Sequence, residues 1–327
     1  MQNSLIKLAC RRSDRTAAIL NGEVKISGID LLPLGVSDGQ KLFSGINTGE
    51  YDAGEFSFAE LVHNIAQDRT DILGIPVFPT RAFRHGFIFY NTRSPIEGRK
   101  DLRGKKIGFR QWIETASVWI RGTLLDEYAI SPSDATWHTV SMHHWESGDA
   151  EKHNSLGDFQ IHWLEKCGRN PGESAEMALL DGRIDVLGTV PAPASLKDGR
   201  VKRLFEFYKD VEMAYFKSTA VFPIMHLVVV RTSLVERFPN LPEKLFKLFV
   251  DSKKSYYRAH RELPRVWPNC ELSEERELFN GDPWTYGLAA NTNVVSKFLT
   301  YCHSQGISNR ELTPEDLFFQ STFHLKE

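Results

Sequence analysis

Arg81, Arg84 and His85 stand close together in a segment that also contains Pro76 and Pro79. The two prolines restrict the backbone and make a stiff platform on which polar side chains can converge. A guanidinium matches a carboxylate with a forked, charge-assisted pair of hydrogen bonds, and an imidazole exchanges protons near neutral pH. The residues alone also fit a solvated basic turn with His85 packed at the start of a strand. Other chemistry-bearing side chains are Glu55 at the end of a short strand and His226 inside the apolar run Ile224 to Val230. Each has a plain structural reading too, as a solvent-facing strand end and a satisfied core histidine. Arg110, Trp112, Thr115 and Ser117 cluster where a strand should feed a helix, a position that favours an anion or simple helix capping. Trp112 could stack on a ligand ring or serve as packing. Asp14, Arg15 and Thr16 occupy the matching strand–helix junction near the start of the chain, with Arg15 the preferred ligand contact.

Those side chains need an alternating α/β frame to position them. Ile6 to Cys10 reads as a strand, Asp14 to Leu20 as a helix capped by Ser13 or Asp14, and Ile29 to Leu34 as a strand closed by Pro33. A helix is expected from about Ser44 to Gly49, followed directly by a short strand around Asp52 to Phe56. The same order, helix, glycine, Asp and short strand, returns at Ala175 to Gly188 through Gly182 and Asp185. Glycine ends a helix in the left-handed region and Asp bonds nearby backbone amides, so the two units suggest two similar lobes. Leu102 to Gly108 reads as a turn feeding a buried strand, and Thr115 to Tyr128 as the helix after it. Met225 to Arg231 is the next strand. The stripes at Leu245 to Val250, after Pro242, and at Val294, Val295, Phe298, Leu299 and Cys302 are core-facing helices.

Five segments resemble the 4,5-dihydroxyphthalate decarboxylase family. They are DRT (Asp14 to Thr16), GEYDAGEFS (Gly49 to Ser57), IPVFPTRAFRH (Ile75 to His85), FPIMH (Phe222 to His226) and GDPWTYG (Gly281 to Gly287). The likeness spans nearly the whole chain. It implies an α/β, two-lobed, type II periplasmic-binding-protein-like fold, with residues 1–93 and 224–327 as lobe one, 94–223 as lobe two, and a ligand cleft between them. It further implies removal of one carboxylate from a catechol dicarboxylate, giving protocatechuate and carbon dioxide. On this reading His85, Glu55 and His226 are catalytic, with Glu55 hydrogen-bonding the catechol hydroxyls and a histidine protonating the ring carbon. Arg81, Arg84, Arg15, Arg110, Thr115, Ser117 and Trp112 bind the substrate. A small aromatic dicarboxylate is the expected partner, no cofactor or metal is expected, and a homo-oligomer is left open. The same fold also serves solute-binding proteins of ABC-transporter-like systems, which is the alternative reading.

Composition bounds the remaining classes. The 327 residues carry 40 Lys and Arg against 42 Asp and Glu, a net charge of −2 that argues against a dedicated nucleic-acid binder. No apolar stretch is long enough for a membrane span, because His226 breaks the longest one. The opening residues lack a secretory signal pattern, so a cytoplasmic location is expected. Cys10, Cys167, Cys270 and Cys302 are widely spaced and fit reduced, mostly buried thiols. His138, His143, His144, His153 and His162 lie near one another in sequence without HExxH spacing, which reads as a solvated loop and not a metal site. The absence of GxGxxG, P-loop and CxxC motifs speaks against nucleotide-dependent chemistry.

Overall fold

The computed structural model describes residues 5–143, 154–259 and 270–327. Its first elements are β1 (Ile6–Cys10), α1 (Ala17–Leu20), β2 (Leu31–Gly35), α2 (Gly39–Thr48), β3 (Ala53–Ser57), α3 (Phe58–Ala66) and β4 (Ile72–Arg81). Next come β5 (Ile88–Asn91), β6 (Lys106–Gln111), α4 (Thr115–Tyr128), β7 (Thr136–Ser141), β8 (Ser155–Leu156) and β9 (Phe159–Trp163). They are followed by α5 (Pro171–Leu180), β10 (Val186–Gly188), β11 (Val201–Arg203), α6 (Tyr208–Thr219) and β12 (Ile224–Arg231). The last helices are α7 (Thr232–Arg237), α8 (Leu241–Ala259), α9 (Cys270–Phe279), α10 (Thr292–Ser304) and α11 (Pro314–Leu317). Among the described residues no helix is long and apolar enough to cross a membrane.

The chain divides into two compact units. The first comprises Met1–Arg81, Ile224–Ser296 and Thr313–Glu327; the second comprises Ala82–Pro223 and Lys297–Leu312. Residues 82–93, placed from sequence with the first lobe, belong to the second unit because β5 pairs antiparallel with β10 and β11. Residues 297–312 also belong to it, through packing of Trp119 on Phe298 and Tyr301 and a bond from Arg121 to Gln305.

In the first unit the strand order is β2-β1-β3-β12-β4, with β12 antiparallel to both neighbours. Ile6, Leu8, Ala53, Ile75, Val77, Val228 and Val230 from these strands pack against Leu241, Leu245 and Phe249 of α8. In the second unit the order is β11-β5-β10-β6-β7-β9-β8. Its core joins Phe89, Val140 and Leu187 to Ala175, Ala178 and Leu179 of α5.

Both units repeat one local device. In the first, Asp52 accepts a hydrogen bond from Lys7 N through Oδ2 (2.8 Å) and donates its own amide to Lys7 O (3.0 Å). In the second, Asp185 does the same with Lys106, at 2.9 Å in each direction. The Asp after the glycine therefore clips its strand to the start of the neighbouring parallel strand. Gly49 (φ 84°) and Gly182 (φ 76°) occupy the left-handed region that the helix exit requires.

Several expected boundaries move. The second helix starts at Gly39 rather than Ser44, because Asp38 caps it by accepting from Gln40 N and Lys41 N. The stretch from Ser13 to Thr16 is not helical. It is a turn closed by Thr16, whose Oγ1 donates to Arg11 O (2.6 Å) and accepts from Ser13 N (2.8 Å). Pro33 lies inside β2, which tolerates it as an edge strand. Asp52→Ala and Asp185→Ala should each lower the unfolding free energy by about 1 kcal/mol. Urea denaturation of the two variants checks this, and equal losses are expected because the two clips are alike.

Candidate functional site

The end of β4 gathers three polar contacts at successive residues, all within the first unit. Pro79 O accepts from Arg15 Nε at 3.0 Å. Thr80 Oγ1 donates to Glu55 Oε1 at 2.6 Å. Arg81 Nη2 donates to Thr285 O at 3.1 Å and also bonds Asn291 Oδ1. The proline-stiffened segment singled out from sequence is thus an organising edge.

Glu55 is 1% exposed and lies on the wholly buried strand β3. Besides Thr80, its Oε1 meets His226 Nδ1 at 2.6 Å, and its Oε2 accepts from Arg11 N at 3.0 Å. Burial pushes the carboxyl pKa up, but the bond and charge of His226, with the Thr80 and Arg11 donors, bring it down to about 2. Gly54 makes this possible: a Cβ there would lie 2.0 Å from Ala9 O, so only glycine lets β3 approach β1 so closely. His226 sits between two register shifts of β12, facing Ser57 on β3 and Thr80 on β4. Such irregularities re-aim a side chain within a sheet. Its ring stands edge-on to Phe43 at 5.1 Å. Glu55, expected at the substrate hydroxyls, has both carboxylate oxygens in contact with protein groups.

Arg15 lies flat over the Trp284 ring, 3.6 Å from its centre, and pairs through Nη1 with Asp14 Oδ1 at 2.6 Å. Trp284, Thr285 and Asn291 were not singled out individually from the sequence. The first two belong to the GDPWTYG segment, which was the available signal; Thr80 likewise lay inside IPVFPTRAFRH. Arg81, expected to clamp a carboxylate, is 7% exposed and built into this support.

The other expected residues belong to the second unit. His85 is 3% exposed, boxed by Tyr215, Phe205 and Tyr128 at ring distances of 5.2, 5.6 and 6.5 Å. Neither ring nitrogen has a hydrogen-bond partner among the described residues, and burial lowers its pKa to about 4, so the ring is neutral at pH 7. Arg84 lies over the Phe87 ring at 5.2 Å; burial lowers its pKa to about 10 against the opposing charges of Glu114 and Glu212. Arg110, expected to hold a substrate carboxylate, is already forked onto Glu114, Nε to Oε2 at 3.0 Å and to Oε1 at 3.1 Å. Glu114 is the N-cap residue of α4 and also accepts from Ser117 Oγ at 3.4 Å, so a protein carboxylate stands at this helix start. Thr115 is the first helical residue rather than the cap, and it is buried with Ser117.

Trp112, expected to stack on a ligand, is 0% exposed. It packs edge-on against Phe109 and Phe159 with the Arg121 guanidinium 3.8 Å over its ring, leaving no face for a ligand. His138 and His162 face each other across β7 and β9 and stack at 5.0 Å, while His144 and His153 lie outside the described residues. Among the described residues no three His, Cys, Asp or Glu side chains group as metal ligands.

The fold is that of periplasmic binding proteins. The chain superimposes on the periplasmic aliphatic sulphonate binding protein SsuA from Escherichia coli with a TM-score of 0.56, at 13% identity, covering 99% of this chain and 94% of that one. The alkanesulfonate-binding protein SsuA from Xanthomonas axonopodis pv. citri gives the same TM-score and identity, covering 98% and 99%. No protein-family model matches the chain. A curated 4,5-dihydroxyphthalate decarboxylase from Comamonas testosteroni is 30% identical over 325 residues, 97% of each chain. A second, from Pseudomonas putida, is 33% identical over 138 residues, 42% of this chain and 53% of that protein. This chain belongs to the 4,5-dihydroxyphthalate decarboxylase family and is an enzyme of the decarboxylase class.

The buried groups set the acid response. A histidine whose folded pKa is depressed stays neutral while the unfolded chain takes up a proton. His85 therefore removes stability as pH falls from 6.5 to about 4, by on the order of 3 kcal/mol at the bottom. His138, lowered to about 4 by burial and by His162, adds to the same window. Glu55 contributes stability above its ordinary 4.5 and loses it as pH falls toward 2. Chemical denaturation against pH should show His85→Phe flattening the upper window and Glu55→Gln the lower one.

Proposed function

We propose that this enzyme converts 4,5-dihydroxyphthalate to protocatechuate and carbon dioxide, with His226 as proton donor. The observation that carries this reading is the 2.6 Å contact of His226 Nδ1 with the buried Glu55 carboxylate. An imidazole tied at Nδ1 to an ionised acid has a fixed tautomer and orientation, which leaves Nε2 to exchange the proton. The resemblance to enzymes named for this substrate supports its identity.

In the proposed step the imidazolium Nε2–H adds its proton to the ring carbon bearing the departing carboxylate. The hydroxyl para to that carbon supplies electron density. The carbon–carboxylate bond then breaks, its electron pair returns to the ring, and carbon dioxide leaves. Aromaticity is regained, the dianion has become a monoanion, and neutral His226 is reprotonated from water. The step needs no cofactor, because the substrate's own hydroxyl is the electron source. Glu55, ionised throughout the neutral range, offsets the imidazolium charge before proton transfer. His85 is a poorer donor, because burial keeps its ring neutral. Arg15 takes the carboxylate that stays, through Nη2, since its bonds to the described residues use Nε and Nη1.

Purified protein mixed with 4,5-dihydroxyphthalate should release carbon dioxide and form protocatechuate in equal amounts. His226→Gln should lower kcat by about 10²–10⁴-fold with a smaller change in KM, and Glu55→Gln should follow in the same direction. Arg15→Gln should act mainly on KM. Thermal stabilisation by the substrate without product would overturn the reading in favour of a binding protein.

A further inference from the structure

Trp284, the platform under Arg15, is itself held by an ion network built around a buried lysine in the first unit. Lys253 of α8 has a side chain only 2% exposed. Its Nζ donates to Asp282 Oδ2 (2.5 Å), Trp284 O (2.7 Å) and Glu327 Oε2 (2.7 Å). Three donors thus meet three acceptors. Asp282 Oδ1 accepts from Trp284 N (2.9 Å) and Tyr257 Oη (2.7 Å), and Asp282 O accepts from Thr285 Oγ1 (2.9 Å). Glu327 Oε2 also accepts from Tyr286 N (3.1 Å). Residues 282–286 are therefore tied down on both sides of the indole that meets Arg15 at 3.6 Å.

We infer that Lys253 and Asp282 are positioning residues for carboxylate recognition. They fix the height and tilt of Trp284, and through it the direction of the Arg15 fork. This rests on the assignment of Arg15 as the carboxylate contact. A buried ion cluster is a poor device for stability, since apolar replacement is often neutral or better, but it holds a loop in one geometry. Arginine has many rotamers, and a flat aromatic support with a fixed carbonyl on Nε selects one of them. Asp282 keeps its charge in this setting: burial raises its pKa, and the Lys253 bond and charge with the Tyr257 donor outweigh that.

The test is Asp282→Asn, which keeps shape and removes charge, read by kinetics and by calorimetric titration with phthalate and with catechol, which lacks carboxylates. KM for 4,5-dihydroxyphthalate and Kd for phthalate should each rise about tenfold, with kcat within about twofold and catechol affinity unchanged. Lys253→Arg should retain more phthalate affinity than Lys253→Met. Equal weakening toward phthalate and catechol, a loss confined to kcat, or unchanged phthalate affinity would overturn the inference. If the wild type releases no carbon dioxide, the proposed reaction fails, yet the phthalate titration still decides the positioning role; a wild type that does not bind phthalate sinks both. Should Asp282→Asn not fold, Trp284→Leu removes the platform itself and should give the same selective phthalate loss.

Discussion

An ionised carboxylate inside a sheet is the constraint around which the first unit is built. Removing Glu55 from water is strongly unfavourable unless every oxygen finds a donor. Its donors come from three other segments: the Arg11 amide just after β1, the Thr80 hydroxyl on β4 and the His226 ring on β12. The strands β1, β3, β12 and β4 must therefore be assembled in that order before the charge is tolerable. Gly54 allows the β1–β3 approach, and the register shifts of β12 turn His226 toward the carboxylate. The same burial affects Cys10 at the end of β1. Desolvation and the Glu55 charge push its thiol pKa far up, which keeps it protonated at neutral pH.

Local patterns were legible in the sequence and long-range ones were not. The glycine–Asp exits at Asp52 and Asp185 were readable because turn chemistry is local, although the partner amides, Lys7 and Lys106, lie on other strands. The start of α2 was misplaced because apolar periodicity begins at Leu42, while the Asp38 cap precedes it with polar residues. Residues 82–93 were expected in the first lobe and fall in the second unit, because strand pairing is a tertiary property. Trp112 and Arg110 had suitable types at a suitable helix start, and only packing reveals that one is sealed in the core and the other committed to Glu114. Glu55 and His226 were found as separate candidates. Their mutual bond across 171 residues has no local signature.

The fold by itself leaves catalysis undecided, since a binding protein and an enzyme both need cations for an acidic ligand. A decarboxylase needs in addition a proton source matched to neutral pH. His85 and His226 sit in different surroundings. His85 is enclosed by aromatic rings with no anion bonded to it, so its environment resists charge. His226 instead has the Glu55 carboxylate at its Nδ1.

The same distinction separates the arginines. Arg15 and Arg110 are each already paired with a carboxylate of the protein, so a substrate carboxylate would have to share or displace that partner. Asp14, paired with Arg15, has a side chain 33% exposed and can return to water at small cost when a ligand replaces it. Glu114, paired with Arg110, is only 8% exposed, and losing its cation would strand a buried charge. Releasing Asp14 from Arg15 would therefore cost less than releasing Glu114 from Arg110, although both pairs look alike as distances. The solvent access of the acidic partner is what separates these two guanidinium groups.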